Sequence, residues 1–248
     1  MEYSPVLAVG TAGFEVIVAG WALMWRRSAG SRGVLATIGA ILLLLAGYQL
    51  AEVAICADVG TAGFLPRLAF IIVTWLPPLG LLLIAQLHRP RSATFTAPAL
   101  GMLLAAAGVV AWIALDRSFA SASVCNAVYA RYAHAMPRFH IYAGFYWIGL
   151  LGMMVLSGVG RAICENPVRR TQLGWVFAGT IGFIAPAMAL SWGVPATQGA
   201  LPSILCHFAL VLAVCLVPVI HLERRGAALE TAASEVECSQ RPHGGLGR

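Results

Sequence analysis

Seven stretches of about twenty residues each run almost free of charge, and that repetition leaves few folds open to the chain. A helix rises about 1.5 Å per residue, so each run can cross roughly 30 Å of hydrocarbon with its backbone bonded internally. The runs fall at about 5–25, 33–55, 68–88, 97–115, 139–160, 172–192 and 203–222 of the 248 residues. They predict an all-α membrane protein, a seven-transmembrane-helix bundle over residues 1–222. Only 10% of the residues are charged, against about a quarter in a soluble domain. Residues 223–248 shift in composition and read as a cytoplasmic tail. That tail is expected to continue the seventh span as helix through Ala227–Ala233 and to be disordered beyond.

Arginine placement predicts the orientation. Arg26, Arg27, Arg32, Arg89, Arg91, Arg161, Arg169, Arg170, Arg224, Arg225, Arg241 and Arg248 fall on one side of the runs, and Arg67, Arg117, Arg131 and Arg138 on the other. The richer side is expected to be cytoplasmic, with the N-terminus outside. Trp25, Trp192, Tyr3, Tyr129 and Tyr132 lie near run ends, where interfacial aromatics gather. The first run lacks a positive leader and ends in Trp25-Arg26-Arg27, so it is expected to stay as a span. A basic balance carried by arginine alone, with much Ala and Gly, fits a bacterial protein of the inner membrane whose surroundings are the lipid bilayer. Having no lysine excludes a retinal Schiff base and a GxxxxGK[ST] nucleotide loop. The arginines form no nucleic-acid footprint, so no nucleic-acid partner is expected.

Two glutamates lie inside the spans: Glu15 near the middle of the first, Glu52 about one turn below the outer end of the second. A carboxylate in hydrocarbon costs several kcal/mol unless it is neutralised, paired or bound. Tyr48, Gln49 and Glu52 share one helix face. His207 in the seventh span and His140 at the outer start of the fifth lie at a depth similar to that of Glu52, with Trp147 two turns below His140. Two imidazoles and a carboxylate make a zinc ligand set with one position left for water. Glu52, His140 and His207 are therefore candidate ligands for zinc or another divalent metal, with Glu15 as a further ligand or general base. A plainer reading pairs Glu52 with Arg67, leaves His140 solvated, keeps Glu15 neutral and bonded to Tyr48, Gln49 or a carbonyl, and makes His207 a satisfied bundle histidine. His88 and His221, at the inner ends of spans 3 and 7, read as interfacial residues rather than haem ligands.

Cys56 and Cys125 both fall on the side read as oxidising, which leaves open a disulfide between them or two free thiols. Cys164 and Cys238 read as reduced cytoplasmic thiols, and Cys206 and Cys215 as small buried hydrophobes. Trp75-Leu76-Pro77-Pro78-Leu79-Gly80 in the third span removes two backbone donors and predicts a kink, with Pro186 and Pro218 in later spans. The hexapeptide Val-Gly-Thr-Ala-Gly-Phe occurs at 9–14 and 59–64 without similarity around it, and reads as coincidence.

Tyr48-Gln49-Leu50-Ala51-Glu52, an outer loop and a proline-bearing third span resemble uncharacterised bacterial seven-span families that carry Gln-x-x-Glu in the second span; the likeness covers about spans 1 to 3. The topology and the Glu/His pattern also resemble the alkaline ceramidase-like superfamily of seven-span metal hydrolases. That pattern has an aspartate in span 3 and two histidines four apart in span 7; this chain has neither. The leading expectation is an outward-facing polar cavity lined by Glu15, Tyr48, Gln49, Glu52, His140 and His207, with Trp147 nearby, binding a small ligand or ion. The chain would then be a receptor-like, sensory or transport component working with a membrane or cytoplasmic partner protein. The alternatives are a metal-dependent hydrolase of a lipid-like substrate and a structural or assembly subunit.

Overall fold

A computed structural model describes residues 4–25, 32–57, 63–88, 92–125, 130–134, 138–194 and 201–240. Tyr3, Arg26, Arg27, Arg89, Arg91, Tyr129, Arg241, Arg248 and most of the second hexapeptide copy lie outside the described residues. Seven helical spans are long and apolar enough to cross a membrane. They are built from α1 (Val6–Trp25), α2 (Arg32–Cys56), α3 (Phe64–Thr74) with α4 (Leu76–Leu87), α5 (Ala93–Leu115), α6 (Arg138–Ile163), α7 (Pro167–Gly193) and α8 (Leu201–Gln240).

Local chemistry explains where several ends fall outside the expected bounds. Ser92 starts α5 by accepting the Thr94 N–H with its hydroxyl. Asn166 caps α7 by accepting the N–H groups of Val168 and Arg169, and Pro167 takes the first helical position, where no donor is needed. At the far end α8 continues to Gln240, past the point where disorder was expected. Residues 227–237 hold Ala, Leu and Glu, strong helix formers, with no Gly or Pro to stop them.

The third span breaks, as its prolines predict. The break sits at Trp75, ahead of both prolines, so that Pro77 and Pro78 fall in the first turn of α4, where missing donors cost least. The kink is closed by packing. Gly149 of α6 faces it so tightly that a Cβ there would overlap Pro77 and lie 2.8 Å from Met102 Cε.

Helix α2 is the hub, packed against α1, α3, α4 and α8; α7 packs along α8 and α6, and α4 against α5 and α6. The buried stripe of α1 runs Ala8, Thr11, Ala12, Glu15, Val18, Ala19, Ala22, a helical period of mostly small residues that lets the backbones approach. Leu104, Leu115 and Ile148 stand exposed on α5 and α6, apolar surface that suits acyl chains and not water.

The two ends of the bundle are closed differently. At one end Arg169 donates to Glu223 at 2.6 and 3.3 Å, and Gln172 donates to the same carboxylate at 2.8 Å, tying α7 to α8. Arg224 lies over Trp25 at 3.7 Å and Trp21 at 5.4 Å, tying α8 to α1. His88 caps the end of α4, where it is buried and stacks on Phe95; His221 is exposed.

At the other end the connection between α5 and α6 contains an antiparallel hairpin, β1 (Ala120–Cys125) with β2 (Ala130–His134). A disulfide joins Cys125 of β1 to Cys56 at the end of α2. Phe70 of α3 meets Phe119, Tyr132 and Tyr142 edge-on, with ring centres 5.1 to 5.4 Å apart, so an aromatic layer glues the hairpin to the bundle.

Two stability measurements check these contacts in purified protein. Gly149→Ala is expected to lower the thermal midpoint, through an overlap costing about 1–3 kcal/mol. Gly108→Ala, which meets open space, should leave it unchanged or raised. Glu223→Ala removes the buried carboxylate from Arg169 and is expected to cost about 3–5 kcal/mol; a midpoint equal to wild type would refute that role.

Candidate functional site

Three mutually packed helices, α1, α2 and α8, bring the polar residues together near the hairpin end. Glu15, Gln49 and Glu52 are each 0% exposed, and Tyr48 is 1% exposed. Glu52 lies four residues from the end of α2, about 6 Å, and Glu15 nine residues into α1, about 14 Å.

Glu52 is held by a residue distant in sequence. The Ser203 hydroxyl lies 2.8 Å from both carboxylate oxygens and donates its hydrogen between them. The same hydroxyl accepts the Ala130 N–H of the hairpin at 3.3 Å. His207 lies close enough to interact with Glu52, and its Nδ1 is 2.8 Å from the Ser203 carbonyl. A carbonyl only accepts, so Nδ1 carries the hydrogen of this contact. The Tyr48 hydroxyl is 3.2 Å from that of Tyr132 in β2, so the hairpin roofs the site through Ala130 and Tyr132. Gln49 donates from Nε2 to the Cys206 carbonyl at 3.0 Å, and its Oε1 has no partner among the described residues.

Glu15 differs from Glu52. Both its carboxylate oxygens are buried without a hydrogen-bond partner among the described residues. Tyr48 and Gln49, its expected partners, are bonded to Tyr132 and Cys206 instead. The Cys206 thiol lies within electrostatic range of each carboxylate. Beside Cys206 is a cavity of about 20 Å³ bordered by Ile41, Leu45, Leu76, Tyr146 and Leu205 among others. That is room for about one water and not for an acyl chain.

Other expectations need correction. The metal set of Glu52, His140 and His207 is not assembled: His140 is exposed at the start of α6, and no three His, Cys, Asp or Glu side chains converge among the described residues. Trp147 packs, partly buried, on the hydrophobic core. Arg67 does not pair with Glu52; its side chain donates to the carbonyls of Gly63 at 3.0 Å and Ala114 at 3.5 Å. Cys206 is buried, as a small hydrophobe would be, but it adjoins the polar group. Ser203 was missed, although Ser203, Cys206 and His207 repeat on α8 the same offsets that flagged Tyr48, Gln49 and Glu52 on α2.

The base of the roof is clamped outside the spans. Arg138, opening α6, donates to Asp116 at 2.7 Å and to Ser118 at 2.8 Å, while Ser118 donates to Asp116 through its hydroxyl at 2.7 Å and its N–H at 3.0 Å. These bonds, those of Ser118 foremost and then the Arg138 charge, hold the Asp116 carboxyl below its ordinary value of 3.8.

Comparison with protein families, with curated proteins and with solved structures finds no match to this chain.

Because Asp116 binds its proton less readily in the folded chain, the clamp is in place above the ordinary value and is lost as pH falls through the lowered one. Amide exchange of β1 and β2, corrected for intrinsic rates, is expected to rise in that acid window. Asp116→Asn should show the faster exchange at neutral pH and lose the acid-dependent step; an identical pH profile in both proteins would refute the clamp.

Proposed function

We propose that this chain is a multi-pass inner-membrane protein whose core at the hairpin end binds a proton or a small cationic ligand. It serves as the membrane part of a receptor, sensor or transport system. The observation that carries this reading is Glu15: a fully buried carboxyl group whose two oxygens have no partner among the described residues. Such a group needs a proton, a cation or a hydrogen-bond donor from outside. The polar core favours positive charge, since it holds two carboxylates and a Gln49 Oε1 without a partner among the described residues, all acceptors. His207 is half-buried on the first turns of α8 and offers a relay between the surface and Glu52. In this reading Ser203 and the hairpin hold Glu52 fixed, while Glu15 is the group that changes partner.

We take the hairpin end as the outer one. The arginine distribution supports this, and so does the Cys56–Cys125 disulfide, which belongs on an oxidising side. The lysine-free, arginine-based composition supports a bacterial source.

Thermal stability of the purified protein, measured across pH and a panel of monovalent metal ions, ammonium and guanidinium compounds, tests the reading. A ligand at a hundred times its dissociation constant should stabilise the wild type by about 2.7 kcal/mol. Glu15→Gln, nearly the same size and uncharged, is expected to fold and to lose the response. A response of equal size in Glu15→Gln, or none in the wild type to any cation or to pH, would overturn the proposal.

A further inference from the structure

The end of the bundle opposite the hairpin carries a second feature that the polar core does not use. Arg161 in the last turn of α6 and Arg170 in the first turn of α7 border an open groove of about 530 Å³, lined further by Thr171, Gly174, Trp175 and Ala178. That volume is in the range of small-molecule sites, roughly 300–1,000 Å³. The two arginines reach it from different helices. The Arg161 side chain lies along Gly174, where a Cβ would be 3.5 Å from its Cδ and Nε, and Gly174 is one turn on from Arg170.

Neither guanidinium makes an ion pair or side-chain hydrogen bond among the described residues, whereas their neighbour Arg169 is engaged by Glu223. Arg170 is also misplaced for helix stability: the start of a helix favours negative charge, and this turn carries a cation. Glu165 is the acid nearest in sequence, exposed in the turn between the two helices. Charge and helix dipole together therefore call for an anion. The walls say which kind. The groove lies on the outside of two membrane-length helices, with Val159, Ile163, Val168 and Ile181 exposed nearby and Trp175 42% exposed at its edge. An anion bound here sits where acyl chains meet water, with an indole at headgroup level.

We propose that this groove holds the phosphate headgroup of an anionic phospholipid, clamped by Arg161 and Arg170, with its acyl chains lying along α6 and α7. Guanidinium forks suit a phosphodiester, and basic recesses between spans are the usual form of such sites.

The test measures lipid binding by native mass spectrometry of the full chain in detergent, with phosphatidylglycerol and phosphatidylcholine added separately. The wild type should bind phosphatidylglycerol at least about tenfold more tightly than phosphatidylcholine, a difference expected from charge-assisted bonds. Arg161→Gln/Arg170→Gln should lose that preference while keeping the wild-type thermal midpoint in lipid-free detergent; Arg225→Gln, exposed on α8, should retain it. Equal binding of the two lipids by the wild type overturns the proposal and needs no variant to fold. So does an undiminished preference in the double variant. Soluble glycerol phosphate should not compete at concentrations matched to the lipid; if it displaces the lipid fully, the site takes a free phosphate anion and the assignment to a lipid fails.

Discussion

Exclusion of water from the bundle core is the constraint on which the rest of this structure depends. With no solvent to receive them, polar groups must find partners in the protein, and each one found specifies a contact between helices. Ser203 holds Glu52 and so fixes α8 against α2; Gln49 repeats the link through the Cys206 carbonyl. Gln172, Arg169 and Glu223 do the same for α7 and α8 at the opposite end. Between these levels the packing is apolar and comes down to shape, as where Gly149 admits the Pro77 kink. Glu15 stands out because it sits in the same core with both carboxylate oxygens unpartnered among the described residues.

The spans were legible because a run of about twenty apolar residues has one stable outcome in hydrocarbon. So was the break in the third span, since Pro77 and Pro78 lack donors, although its position at Trp75 depended on which turn could best lose them. The hairpin was not legible. Ala-Ser-Ala-Ser-Val-Cys has little strand character of its own, and the aromatic layer from Phe70 to Tyr142 that gives it a surface to rest on comes from other spans.

The polar core was legible by residue and not by partner. Burial of Glu15, Tyr48, Gln49 and Glu52 followed from their place in apolar runs. Pairing Glu52 with Arg67 relied on nearness along the chain, whereas Ser203 lies 151 residues away. The metal reading assumed that residues at one depth face one another. Depth is set by position along a helix, but facing is set by rotation about it, and His140 points outward. Arg169 and Glu223, 54 residues apart, were read as a topology signal and the start of a tail because nothing local couples them.

The bond between Cys56 and Cys125 has a consequence for the connectivity of the molecule. It closes the chain from 56 to 125 into a covalent ring that contains α3, α4, α5 and β1 and spans 69 positions of sequence. The rest of the protein then hangs from that ring as two branches: α1 and α2 on one side, β2 and α6 to α8 on the other. A single cut inside the ring separates nothing, and the two pieces travel as one molecule until a reductant is added. A cut in either branch frees a fragment held only by its packing. Glu52 on one branch and Ser203 on the other are thus joined through a closed circuit as well as through their hydrogen bond.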